Sequence, residues 1–163
     1  MKTEIKALFN TYVQKGVLVD ANILLVFLVG TVNQKRILSF KRTNGFTIED
    51  YELLGELFSY LPKIVTTPNI LTEVSNLGGS LNEPERSQFF IVLRRIIPNL
   101  VEHYVESKQA ANDGKFTKLG LTDAAILSFV KGQYLVLTTD LALANNLQTI
   151  GVDVVNFNNL RFF

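Results

Sequence analysis

The sequence of 163 residues predicts a three-layer α/β/α domain with a mainly parallel central sheet. Short apolar runs of strand length alternate with longer stretches in which apolar residues recur at helical spacing. This alternation is typical of parallel sheets that carry helices on their faces. No Pro/Gly-rich linker and no internal repeat divides the chain, so we expect one domain over residues 1–163.

The first half of the chain is divided by residues that begin and end helices. Gly16 is expected to stop the first helix, and Thr47 to cap a later one that has acids in its first turn. Thr67 followed by Pro68 is a typical helix start. The predicted elements are a helix over 2–15, a strand over 17–19, helices over 22–40 and 48–61, a strand over 63–66, and a helix over 68–79.

The second half of the chain is less sharply patterned. Apolar residues at helical spacing predict a helix that Pro98 ends, whereas residues 107–119 predict no definite element. The predicted elements are a helix over 83–97, a strand over 100–105, a helix over 121–130, a strand over 134–138, a helix over 141–149 and a strand over 152–157.

The composition of the chain argues against several kinds of site and of cellular location. The chain has no Cys, which excludes thiolate metal sites and Cys nucleophiles and suits a reducing compartment such as the cytoplasm. Acids and bases alternate at the start, so we expect no signal peptide. The apolar run over 23–32 is far shorter than the roughly 20 residues of a membrane span, so we expect a buried helix and no membrane partner.

Four acidic residues lie in apolar surroundings near the same predicted sheet edge. Asp20 and Asp140 follow two predicted strands, and Glu73 and Asp123 lie early in helices. Considered one at a time, three of the four acids can be explained by a structural role, as helix caps or as a solvated helix residue. Taken together they predict a site, because converging carboxylates repel unless a cation neutralises them. All-oxygen ligands favour Mg²⁺ or Mn²⁺, and the lone His103 argues against zinc.

The segments that carry these acids resemble the four acidic motifs of PIN-domain ribonucleases, in the same order. They read Val17-Leu-Val-Asp20-Ala-Asn22, Pro68-Asn-Ile-Leu-Thr-Glu73-Val, Leu119-Gly-Leu-Thr-Asp123-Ala-Ala-Ile and Leu137-Thr138-Thr-Asp140-Leu-Ala-Leu. The resemblance implies a PIN-like fold, with residues 1–16 as an extra N-terminal helix and 33–62 as a helical insertion. It also implies that the four acids hold Mg²⁺ or Mn²⁺, supported by Asn22 and Thr138.

The activity that this resemblance implies is metal-dependent endonucleolytic cleavage of RNA. Alternatives are a non-catalytic PIN scaffold that binds protein or RNA, and a phosphohydrolase with Asp20 as nucleophile, for which Asn22 stands where a second acid is usual. A toxin held by an antitoxin protein would be the same enzyme with a partner, and a homodimer is expected. The candidates for phosphate contacts are Lys35, Arg36, Arg94, Arg95 and Lys118. Lys35 and Arg36 belong to a compact basic group, which could instead be an ordinary solvated surface.

Overall fold

The computed structural model describes residues 3–161 and contains one five-stranded, all-parallel sheet flanked by helices. It confirms the predicted three-layer α/β/α class. The strands are β1 (Val17–Val19), β2 (Ile64–Thr66), β3 (Val101–Glu102), β4 (Leu135–Thr138) and β5 (Val154–Asn156). The helices are α1 (Thr3–Tyr12), α2 (Ala21–Val32), α3 (Gln34–Ser39), α4 (Ile48–Tyr60), α5 (Pro68–Gly78), α6 (Glu85–Ile96), α7 (Ser107–Ala111), α8 (Phe116–Leu127) and α9 (Leu141–Thr149), with short 3₁₀ turns over Ile97–Asn99 and Phe157–Asn159.

The order of the strands across the sheet is β3-β2-β1-β4-β5. The chain therefore builds outward from β1 in one direction through β2 and β3, and then crosses back to place β4 on the other side of β1. The register pairs Val19 of β1 with Leu137 of β4. In sheets of this kind, ligands bind beyond the carboxyl ends of the two strands where the direction reverses, which here are β1 and β4.

Helix α2 is the central element of the core. Buried residues occur all around it, so it is buried from several sides rather than along one stripe. It contacts α3, α4, α5 and α6. This helix contains the apolar run over 23–32, and no helix among residues 3–161 is long and apolar enough to cross a membrane.

The prediction of one helix over 22–40 was wrong, because the chain breaks into α2 and α3 at Asn33. Asn33 has an extended backbone (φ −160°), and its side-chain oxygen accepts a hydrogen bond from the N–H of Lys35, so it caps α3. Its amide also donates to the buried carboxylate of Glu85 at 2.8 Å. The hydrogen bonds of the Asn33 side chain thus favour a break between two helices. The apolar periodicity of the sequence gave no sign of these hydrogen bonds.

Several other predicted boundaries need correction. The first helix ends at Tyr12 rather than at residue 15, and Gly16 has a positive φ of 116°. The strand over 100–105 is only two residues long. Residues 107–119, for which the sequence predicts no definite element, contain α7 and the start of α8. The helix expected over 121–130 begins at Phe116, bends at Gly120 and ends at Leu127.

Two helical glycines make a matched test of the packing between α2 and α4. A methyl group on Gly30 would stand 2.3 Å from a ring carbon of Tyr51, whose ring stacks on Phe27. We expect Gly30→Ala to lower the free energy of unfolding by about 1–3 kcal/mol through overpacking. A methyl group on Gly55 meets nothing within 4 Å, so Gly55→Ala should raise it by about 0.5–1 kcal/mol. Urea unfolding measures both, and stabilisation by Gly30→Ala would show that the two helices do not pack in this way.

Candidate active site at the carboxyl edge of the sheet

Asp20 is held in one orientation at the end of β1. Its side chain is buried, with 8% of the residue exposed. One carboxylate oxygen, Oδ1, accepts a hydrogen bond from the N–H of Ala21 at 2.7 Å and caps α2. The other, Oδ2, accepts from the hydroxyl of Thr138 at 2.7 Å. Because each carboxylate oxygen has two lone pairs, Asp20 keeps acceptor capacity for a cation beyond these two bonds.

Thr138 joins Asp20 to the next acid along the edge. Its hydroxyl donates to Asp20 and accepts from the backbone N–H of Asp140 at 2.9 Å. The Oδ1 atom of Asp140 in turn accepts from the N–H of Leu143 at 2.9 Å and caps α9. The fully buried Thr138 therefore fixes the relative positions of the two acids.

Glu73 and Asp123 approach this pair from helices on either side. Glu73 lies in the second turn of α5, which starts directly after β2, and its side chain is exposed. Asp123 is half-buried and lies three residues after Gly120, whose φ of 79° separates two helical segments within α8. A positive φ favours glycine, so Gly120 permits the bend that redirects the chain just before Asp123.

The acids are close enough that neighbouring charges raise the pKa of Asp20, Glu73 and Asp123. Burial raises the pKa of Asp20, and the charge of Asp140 raises it further against the lowering effect of the hydrogen bonds from Thr138 and Ala21. Burial and the charge of Asp20 raise the pKa of Glu73. The largest effect is on Asp123, because burial and the charges of the other three acids raise its pKa to about 7. The four acids therefore lie within electrostatic range of one another, and their joint binding of a cation stays a prediction.

The arrangement suits a cation that takes few ligands directly from the protein. Among residues 3–161, no three His, Asp or Glu side chains lie close enough to form a ready-made metal-binding group. Zinc sites need three or four such ligands, whereas Mg²⁺ keeps several waters and is often held by one or two carboxylates and a substrate phosphate. Asp20, held by two hydrogen bonds and accompanied by three further acids, fits the second description, and Mn²⁺ accepts the same ligands.

The remaining predicted site residues divide between the edge and other surfaces. Asn22 is exposed in the first turn of α2, and its side chain forms no hydrogen bond within the part of the chain that the structure describes, so no orienting contact supports it. Lys118 is exposed two residues before Gly120. Arg94 and Arg95 are exposed in the last turn of α6.

Lys35 and Arg36 lie away from the acids. Both lie in α3, beyond the far end of α2, and a helix of 12 residues is about 18 Å long. Arg36 is also occupied, because its Nε lies 2.5 Å from the Oε2 of the buried Glu85, in an ion pair rather than a well-aligned hydrogen bond. Arg36 therefore ties α3 to α6, and phosphate contact by Lys35 stays a prediction.

Sequence reasoning missed a cleft beside the acids. The cleft has a volume of about 380 Å³ and lies between α5 and the second segment of α8. Its polar lining includes Asn69, Thr72 and Asn76 together with Glu73, at the i, i+3, i+4 and i+7 positions of one helix face. Thr122, next to Asp123, lines the opposite side. The polar stripe was visible in the sequence, but only the acid in its middle was recognised.

Sequence comparisons with known proteins give no indication of the function. No protein-family model matches the chain, and no curated protein sequence matches it.

Thr138→Val tests the link between Asp20 and Asp140. Valine has a similar shape but leaves the Asp20 Oδ2 without its donor and the Asp140 N–H without its acceptor. We expect a loss of about 1–3 kcal/mol in the free energy of unfolding and a decrease of 10- to 100-fold in the affinity for Mn²⁺. Thr138→Ser keeps the hydroxyl and should bind Mn²⁺ as the wild type does. Unfolding in urea and Mn²⁺ titration measure both quantities, and equal behaviour of the Val and Ser variants would remove Thr138 from the site.

Proposed function

We propose that this protein is a nuclease that uses Mg²⁺ or Mn²⁺ to hydrolyse RNA phosphodiester bonds, as its resemblance to PIN-domain ribonucleases implies. The observation that carries the proposal is the convergence of Asp20, Glu73, Asp123 and Asp140 at the strand-order reversal, with the pKa of Asp123 raised to about 7. Perturbed pKa values cluster at functional sites because function retains charges that folding alone would not bring together.

The repulsion among the acids favours a cation over a purely structural role. Neither Glu73 nor Asp123 has a cationic partner among the described residues, so the protein itself does not neutralise this cluster. Mg²⁺ or Mn²⁺, when bound, supplies a Lewis acid that polarises a phosphate and lowers the pKa of a water. That is the chemistry which hydrolysis of a phosphodiester requires.

The side chains have different parts in this chemistry. Asp20 is the fixed ligand, because two hydrogen bonds hold its carboxylate. Glu73 and Asp140 are exposed and complete the cation's surroundings directly or through water. Burial and the neighbouring charges raise the pKa of Asp123 to about 7, and a bound cation would favour its deprotonated form.

A polymeric substrate suits the open form of the site better than a small phosphate ester does. Glu73 and Asp140 face solvent, and the neighbouring cleft extends from Glu73 along α5. No Lys or Arg lines that cleft, so it offers no enclosed pocket for a free phosphate group. An aspartyl-nucleophile mechanism also lacks its usual second acid, since Asn22 stands two residues after Asp20.

The direct test is incubation of the purified protein with a mixed pool of RNA in the presence of Mg²⁺, Mn²⁺ or EDTA, followed by mapping of the cut ends. We expect cleavage with either cation and none with EDTA. Asp123→Asn protein, purified in the same way, controls for a contaminating nuclease and should be inactive. If no RNA is cut under any condition, the proposal fails and a scaffold that binds without cleaving becomes the better account.

A further inference from the structure

The cleft between α5 and α8 adjoins the acids but has a different chemical character. It shares Glu73 with the acidic cluster, and Thr122 in its wall is the neighbour of Asp123. Its other polar lining residues are neutral, and Pro68 and Leu77 add apolar surface. A bound group should therefore be uncharged, partly apolar and rich in hydrogen-bonding atoms.

The polar side chains of this cleft are not used to hold the fold together. Among residues 3–161, the side chains of Asn69, Thr72, Asn76 and Thr122 form no hydrogen bond to another residue. Some amides elsewhere in the described chain have structural partners, whereas others, such as Asn22, have none. Asn33 donates to Glu85, Asn99 to the carbonyl of Arg95, and Asn146 to the carbonyl of Ala142, for example. The two amides of the cleft, at Asn69 and Asn76, are thus free to bind a ligand.

Free amides next to a phosphodiester-cleaving site match the edge of an unpaired nucleobase. An Asn side chain both donates and accepts, as the edge of a base does, and single-stranded RNA is recognised through such edges and through contacts with the faces of the bases. The volume of about 380 Å³ lies at the lower end of the range of about 300–1,000 Å³ for small-molecule sites. That is room for one nucleoside rather than for a duplex.

We propose that this cleft binds the base of one unpaired nucleotide next to the scissile phosphate, through the amides of Asn69 and Asn76. This inference rests on the proposed nuclease function, because it assigns part of the substrate to a surface beside the acids. A base held on α5 places the adjoining phosphate near Glu73, which lies between the two asparagines on the same helix face.

Uncharged nucleosides test the cleft without requiring cleavage. The full chain, isotope-labelled and kept in EDTA, is titrated with adenosine, guanosine, cytidine and uridine while its NMR spectrum is recorded. Without phosphate, the probes are not repelled by the acids. We expect at least one nucleoside to shift the side-chain amide signals of Asn69 and Asn76 with an affinity in the range of about 1 mM or weaker.

Substitution of the amides should remove this binding. Asn69→Ala and Asn76→Ala should each weaken it by about tenfold, which corresponds to the loss of one or two hydrogen bonds. Asn82→Ala changes an exposed asparagine outside the cleft and should bind as the wild type does. Thermal melting checks that all three variants fold.

The inference is overturned if no nucleoside shifts the signals of α5 and α8, or if both alanine variants bind as tightly as the wild type. Its failure is distinguishable from failure of the proposed function. The former is the absence of nucleoside binding in EDTA, and the latter is the absence of metal-dependent cleavage of RNA.

Discussion

Asp123→Asn is expected to reduce metal-dependent RNA cleavage by about a thousandfold, since the charge stabilisation that a cation brings to a transition state is worth several kcal/mol. The same substitution should stabilise the metal-free protein. Asp123 accepts no hydrogen bond from residues 3–161, so the variant loses a repelled charge and no described contact. Loss of activity together with a gain of stability indicates a residue that serves the activity at a cost in stability.

A carboxylate outside the site provides the control for this prediction. Glu52→Gln makes the same chemical change on the exposed face of α4, and should alter neither cleavage nor stability. Cleavage assays with Mn²⁺ and urea unfolding in EDTA measure the two effects separately. An Asp123→Asn protein that is fully active would contradict the assignment, as would one that is strongly destabilised without metal.

The stability of the metal-free protein is expected to fall as the pH rises from about 4 to about 7. The pKa of Asp123 is raised from 3.8 to about 7 in the folded chain, so between these values the folded state holds a proton that the unfolded state has lost. The stabilisation from this proton is complete below about pH 4 and absent above about pH 7. A partly exposed carboxyl is screened by solvent, so we expect about 2 kcal/mol rather than the full value of the shift.

Asp123→Asn isolates this effect from every other titrating group. Wild type and variant should be equally stable near pH 4, and the variant should become the more stable as the pH rises towards about 7. Saturating Mg²⁺ or Mn²⁺ should restore wild-type stability at the higher pH, because binding to the folded state alone stabilises it by mass action. Parallel curves for the two proteins from acid to neutral pH would show that Asp123 does not titrate abnormally.

The fold class and several boundaries could be predicted because local chemistry determines them. Thr47 caps α4 and forms a reciprocal capping box with Asp50, and Thr67 with Pro68 starts α5 as expected. By contrast, the break at Asn33 depends on Glu85, which is 52 residues away in sequence. Apolar periodicity carries no information on such a long-range partner.

For the candidate site, the sequence predicted that Asp20 and Asp140 lie at one sheet edge but not which contacts they make. The positions of Asp20 and Asp140 after two strands indicated one sheet edge, and the crossing that makes β1 and β4 neighbours brought them together. The sequence did not reveal that Asp20 also caps α2 and accepts from Thr138. Asp20→Asn would therefore change hydrogen bonds as well as charge, which is why Asp123 is the better position at which to test repulsion.

Calorimetric titration of Mn²⁺ into the purified protein tests the central claim, that the four acids form a cation site, most directly. We predict saturable binding to the wild type with release of a proton near neutral pH, unchanged binding to Glu52→Gln, and binding at least about tenfold weaker to Asp123→Asn. Absence of saturable binding to the wild type, or equal binding to all three proteins, would contradict the account.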